Sequence, residues 1–254
     1  MGLLKKISGS LKKISVYALL IIGSVVMGLV ILPLERLFIH PSERFQRAGR
    51  KTVSASHRLF VRICHALHTL YFDKPLPSFE GLEGKIVVPN HPSLIDVVLL
   101  FSLIDGANCI VKGKLLHSAY GAIIRTLYIP NTGTFPDLKE RCKEALSRGD
   151  TLIIFPEGTR TRKDQPITLK RGAAYIALCT GAPLVPLAIE GNDMKGLRKH
   201  DRFWTMTDNG FYRFSFRRLD EIDPAGFQGP DIRRSAINLT KHLEDLFRKE
   251  VRPF

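Results

Sequence analysis

His91 and Asp96, in Asn90-His91-Pro92-Ser93-Leu94-Ile95-Asp96, have the residue types for general-base chemistry. An imidazole can take up a proton near neutral pH, and a carboxylate beside it orients the ring and stabilises the imidazolium that forms. Further along, Phe155-Pro156-Glu157-Gly158-Thr159-Arg160 offers a different capacity. A guanidinium matches a phosphate in bidentate fashion, so a turn carrying Arg160 beside Gly158 and Thr159 is suited to holding an anion. A base with its carboxylate on one side and an anion clamp on the other would serve a transferase that deprotonates a hydroxyl while gripping a charged acceptor.

Spacing alone does not select His91, because the same His-x4-Asp interval recurs at His68 and Asp73. Context separates the two. His91 follows Ile86-Val87-Val88-Pro89, an apolar run that reads as a buried strand ending at Asn90, and Pro92-Ser93 reads as the opening of a helix. Strand ends leading into helix starts are where α/β folds place chemistry. The His68 pair closes a polar-apolar segment with no such junction. On local sequence alone, a loop histidine satisfied by backbone groups is the other reading of His91. Thr151-Leu152-Ile153-Ile154-Phe155 is a second buried-strand pattern, broken by Pro156 and opened by Gly158, which sets Glu157 and Arg160 on a turn at a strand end.

Together the two segments resemble the glycerolipid (lysophospholipid) acyltransferase family, in particular its 1-acylglycerol-3-phosphate acyltransferases, over residues 80–192. The interval between the segments is shared with that family. Lys170-Arg171-Gly172-Ala173-Ala174 and Thr180-Gly181-Ala182-Pro183-Leu184-Val185-Pro186 resemble its later motif, and Lys112 falls where it often has a lysine at a strand end, although a solvated surface lysine is the first reading of that residue alone. The resemblance implies transfer of a fatty acyl group from acyl-CoA or acyl carrier protein to a hydroxyl of a lysophospholipid. It implies His91 as base with Asp96 as its partner, and Glu157, Gly158, Thr159, Arg160 and Lys170 on the substrate, with Glu157 holding either that turn or the acceptor in place. A thioester already stores the energy, so neither cofactor nor metal is implied. Backbone amides near Pro92–Leu94 or at Gly158-Thr159 are candidates to stabilise the oxyanion.

One departure is plain. The family's second motif usually ends in an arginine after an apolar run, whereas Gly121 to Ile129 leads here into Pro130-Asn131-Thr132-Gly133. The phosphate grip would then rest on Arg160, with Lys170 or Arg171, or the acceptor would be a lipid without glycerol phosphate. A membrane scaffold with an inactive domain is a further alternative, and the joint presence of His91, Asp96, Glu157 and Arg160 speaks against it.

The formal charge of +14 is uneven: residues 1–72 carry 11 Lys/Arg against 2 Glu. Beside an apolar stretch such a bias points to anionic lipid headgroups rather than to nucleic acid, for which no motif is present. Ile14 to Leu34 holds 21 consecutive uncharged residues, enough for a membrane helix, and no small-residue cleavage site follows it. Residues 1–35 thus read as an apolar anchor and residues 36–75 as a basic amphipathic helix (42–72) with its linker. Residues 76–254 read as the catalytic domain. Positive charge on both sides of the apolar run leaves a single span and a re-entrant hairpin equally open. The four widely spaced cysteines (Cys64, Cys109, Cys142, Cys179) read as reduced thiols of a domain facing the cytoplasm.

From residue 85 onward, apolar runs alternate with helical patterns: strands 85–89, 108–112, 127–130, 151–155 and 184–189, and helices 93–104, 114–126, 136–148 and 169–180. That alternation predicts an α/β fold with a mostly parallel sheet flanked by helices. A later strand over 212–217 has one wet face, and a closing helix covers 231–250. No Gly-x-Ser-x-Gly elbow, glycine-rich phosphate loop or metal-ligand cluster is present, which removes the serine hydrolase, nucleotide and metalloenzyme readings.

Overall fold

The structure, a computed structural model, describes residues 2–161, 166–192, 194–202, 205, 207 and 209–251, with side chains from residue 12 onward. Among the described residues, seven strands form one sheet in the order β1-β7-β6-β2-β5-β3-β4. They are β1 (Leu70–Phe72), β2 (Ile86–Pro89), β3 (Asn108–Lys112), β4 (Ile129–Asn131), β5 (Leu152–Ile153), β6 (Leu184–Gly191) and β7 (Tyr212–Arg218). Every pairing is parallel except β6 with β7. β2 lies between β5 and β6, and all four of its residues are buried. This explains its unbroken apolar run: a central parallel strand is covered on both faces and has no wet side to encode.

Helices cover both faces. Ahead of the sheet come α1 (Gly2–Val26), a π-helical turn (Met27–Ile31), α2 (Leu32–Phe38) and α3 (Ser42–Ala66). Then follow α4 (Asp96–Leu103), α5 (Gly121–Leu127), α6 (Phe135–Ser147), α7 (Gly172–Thr180) and α8 (Ile232–Glu250). One core unites α3, α4 and α5 with Val87, Ile153 and Phe214; the other unites α6, α7 and α8 with Ile86, Val88 and Leu152. Ile86 and Val87 thus serve opposite cores, as the two-residue period of a strand requires.

The expected alternation of strands and helices is present, with two differences. Residues 70–72, read as the end of a helix, form β1 and pair with β7. The second helix stops at Ala66 because His68 turns into the left-handed region (φ 55°) and the Thr69 amide donates back to the Cys64 carbonyl. This is the closing pattern of helix C-termini, built here without glycine. The helix expected over 114–126 is broken into a 3-10 turn, Gly113–His117, and α5.

The first helices do not stand apart from this body. Leu20, Met27 and Leu32 are buried in the same core as α3 and α5. At residue 28 the helix lies so close to α5 that a Cβ there would sit 2.8 Å from that of Ala122. α3 is tied down by Arg50, whose Nη2 meets Asp150 Oδ1 at 2.6 Å with both side chains at least 96% buried. Arg50 Nε also donates to the Gly106 carbonyl, and Asn108 Nδ2 donates to the other oxygen of Asp150.

Breaking this pair from one side leaves a buried charge without its partner, at a cost of about 3–5 kcal/mol. Arg50→Met is therefore expected to lower the melting temperature sharply, while Arg50→Met with Asp150→Leu recovers a large part of the loss. Thermal unfolding of the two variants beside the parent checks this; equal melting points for single and double variants would contradict it.

Candidate active site

β2 ends at Pro89, and the chain turns at Asn90 into the loop before α4. Asn90 fixes that turn with its side-chain amide, accepting from the Ile189 N–H at 2.6 Å and donating to the Ile189 carbonyl at 2.9 Å. His91 Nδ1 lies 2.8 Å from Asp96 Oδ2. A carboxylate only accepts, so Nδ1 carries the hydrogen, and in the neutral ring Nε2 is the nitrogen with the lone pair. Asp96 sits in the first turn of α4 and is fully buried. It also accepts from the Ser93 amide at 2.8 Å and from the Ser93 hydroxyl. Three donors on one buried carboxylate fix its position. The other His-x4-Asp pair is not assembled: His68 Nδ1 meets the Tyr71 hydroxyl at 2.7 Å, and Asp73 pairs with Arg213.

The turn after β5 closes on His91 from the other side. Glu157 Oε1 accepts the His91 amide at 2.9 Å, and the Thr161 amide donates to the His91 carbonyl at 2.7 Å. Thr161 Oγ1 steadies the carboxylate at 2.8 Å, and the Phe155 ring lies 4.3 Å from the imidazole, centre to centre. Burial raises the Glu157 pKa, against the pull of the Thr161 and His91 donors. Glu157 was expected to hold either that turn or the acceptor in place, and its bound oxygen ties the turn to the His91 peptide. Thr161 was not singled out from sequence, since a threonine after such a turn carries no distinguishing signal.

Cations gather beside this turn. Gly158 has φ 63°, and a Cβ there would sit 3.0–3.1 Å from Cε, Cδ and Nζ of Lys170, so the lysine lies across the bare face of the glycine. Lys112 ends β3 and is in register with Asn131 of β4. Its pKa is lowered, first by partial burial and then by Lys114, Lys170, Lys199 and Arg160. The position that lacks the expected arginine is therefore the strand neighbour of a lysine inside a cationic group. Arg160 has part of its fork engaged: Nη1 donates to the carbonyls of Leu197 and Arg198 at 3.0 and 2.9 Å. Of the amides considered for an oxyanion, Ser93 donates to Asp96, Leu94 to the Leu197 carbonyl and Gly158 to the Phe155 carbonyl. Arg171, offered as a second partner of the phosphate, precedes α7 and is exposed.

Residues 69–190 match the family model described as Acyltransferase. Among curated proteins, a 1-acyl-sn-glycerol-3-phosphate acyltransferase of Cocos nucifera is 30% identical over 129 residues, covering 46% of this chain and 42% of that protein. The alpha form from Ovis aries is 24% identical over 180 residues, covering 67% of this chain and 60% of the relative. The chain thus spans less than two thirds of the length of either relative. The crystal structure of the 1-acyl-sn-glycerophosphate (LPA) acyltransferase PlsC from Thermotoga maritima superimposes with a TM-score of 0.69 at 20% identity, over 98% of this chain and 96% of that one. At that identity the likeness is one of fold.

If His91 is the base, His91→Ala lowers turnover by about 10²–10⁴-fold, while His68→Ala changes it little. Steady-state rates of the two variants, each confirmed folded by circular dichroism, decide the assignment; the reverse ranking rejects it.

Proposed function

We propose that this chain, whose residues 69–190 match the acyltransferase family model, moves a fatty acyl group from a thioester to the free hydroxyl of a lysophospholipid such as 1-acylglycerol-3-phosphate. The observation that carries the reading is that one turn, residues 157–161, binds both the N–H and the C=O of His91 and also carries Arg160, with Lys170 lying across its Gly158. Base and cations therefore form a single site rather than two neighbouring features. The relatives named for activity on 1-acyl-sn-glycerol-3-phosphate support the acceptor class.

In this reading His91 Nε2 takes the hydroxyl proton as the oxygen attacks the thioester carbonyl. The tetrahedral intermediate then collapses, the C–S bond breaks, and the imidazolium returns the proton to the leaving thiolate. Asp96 stabilises the imidazolium between the two steps. The base accounts for about 10²–10⁴-fold of the rate, leaving the rest to orientation and oxyanion stabilisation. With Ser93, Leu94 and Gly158 engaged elsewhere, Thr159 is the amide we assign to the oxyanion. Lys112, Lys170 and the free part of the Arg160 fork would hold the acceptor phosphate, which removes the need for an arginine at position 131.

Acylation assays with labelled acyl-CoA or acyl carrier protein and a panel of lysolipids test the reading. Product from 1-acylglycerol-3-phosphate, with Arg160→Lys raising the acceptor KM while the donor KM moves little, is the expected result. Acylation confined to lipids without phosphate would replace the acceptor.

The same reading sets the enzyme on a membrane, catalytic domain toward the cytoplasm, with its first helices in one leaflet rather than across it. Lys12–Phe38 is long and apolar enough to cross a bilayer. Yet it touches the globular body along its length, at Lys13 through the Gly196 carbonyl, at Gly28 through α5, and at Glu35 through Thr52 of α3. A perpendicular crossing would draw that body into lipid. The outward face carries Ile22, Leu29, Leu37 and Phe38, 61–83% exposed. A helix lying in the interface buries such a face while its basic neighbours meet headgroups. Ile22→Asp, Leu29→Asp and Phe38→Asp together are expected to release the protein from phosphatidylglycerol vesicles in a flotation assay; undiminished flotation would reject the placement.

A further inference from the structure

We infer that Lys13, on the first membrane-facing helix, is a positioning residue for the anion-binding turn and acts through the loop that follows β6. The inference rests on the reading of Arg160 as a phosphate ligand. Lys13 is 3% exposed, unusual for a lysine unless its ammonium is fully engaged. Nζ donates to the Gly196 carbonyl at 2.9 Å and to the Thr205 carbonyl, and it lies 5.7 Å from the ring centres of both Tyr17 and Tyr212. The site is shaped for it. Gly196 has φ 84°, and a Cβ there would come within 2.3 Å of the ammonium and 2.0 Å of the Thr205 carbonyl oxygen.

The loop that Lys13 grips is the one that Arg160 grips. Gly196 is followed by Leu197 and Arg198, whose carbonyls both accept from Arg160 Nη1. Asp201 Oδ2 accepts the amides of Gly196 and Arg198 and holds the loop in shape from its exposed side. The Leu197 carbonyl also accepts the Leu94 amide, three residues from the base. One short loop is therefore bonded to the first helix, the guanidinium and the loop bearing His91. Two carbonyls fix where Nη1 points, and Lys13 helps fix the carbonyls. Removal of the ammonium frees the loop, and Arg160 loses the frame that aims the rest of its fork at the acceptor.

Three measurements on the full-length protein in phospholipid vesicles test this. Lys13→Met keeps the buried stem and removes the donors. It is expected to raise the KM for 1-acylglycerol-3-phosphate about tenfold with kcat nearly unchanged, and Lys13→Arg to restore part of the loss. In an Arg160→Lys background the same substitution adds little, because residues acting through one another are not additive. Hydrogen exchange at the amides of Leu94 and Gly196 should quicken in Lys13→Met, a readout that stands even if the parent fails to acylate this lipid and the proposed function falls. Should Lys13→Met not fold, Asp201→Asn loosens the same loop from its exposed side and is expected to raise the KM likewise. An unchanged KM, effects of Lys13 and Arg160 that multiply independently, or unchanged exchange at Leu94 would overturn the inference.

Discussion

The peptide unit of His91 is held at both its polar ends by a segment 66 residues away, the N–H by Glu157 and the C=O by Thr161. A loop residue at a strand end would otherwise choose its own backbone conformation, and the direction of its side chain would follow. With N–H and C=O both fixed, the ring needs only Asp96 to set its rotation, and Asp96 is itself fixed by Ser93 and buried in α4. The buried carboxylate of Glu157 has a raised pKa and is compensated by two donors, one of them the peptide it orders. Position here comes from hydrogen bonds that cross between neighbouring parallel strands β2 and β5, and those strands bring the two segments together.

The same economy extends to the helices ahead of the sheet. Arg50 and Asp150 join α3 to the loop before β5 in a pair removed from water, which is costly unless every polar atom is engaged. Gly106 and Asn108 supply the remaining partners. Buried residues from Leu20 to Leu32 lie in the core that α4 and α5 also line. The apolar stretch is thus two-sided: inward residues complete a protein core, and outward ones such as Leu37 and Phe38 stay bare.

The parallel sheet, the outer helices and the two loops bearing His91 and Arg160 were legible because apolar runs bounded by proline and glycine leave few other readings. Three features were not. The end of α3 carries no glycine or proline, only His68 in a left-handed conformation, so β1 was hidden in what read as a continuing amphipathic helix. The division of labour within Phe155 to Thr161 depends on which atoms meet, and a glutamate that binds a peptide N–H looks the same in sequence as one that binds substrate. The tie from Lys13 to Gly196 spans 183 residues, and nothing local distinguishes that lysine from Lys12 beside it.

Strand order has a temporal side. β2 is fully paired only when β5 and β6 have joined it, and β6 in turn pairs with β7, which ends at Arg218. Domains assemble as their segments leave the ribosome, and pairings between distant segments close last. Residues 12–38 therefore emerge while the surface they will cover does not yet exist, and both of their apolar faces are then exposed. If that helix lies in a leaflet as proposed, the bilayer can shelter both faces during synthesis and later yield the inner one to the finished sheet and helices.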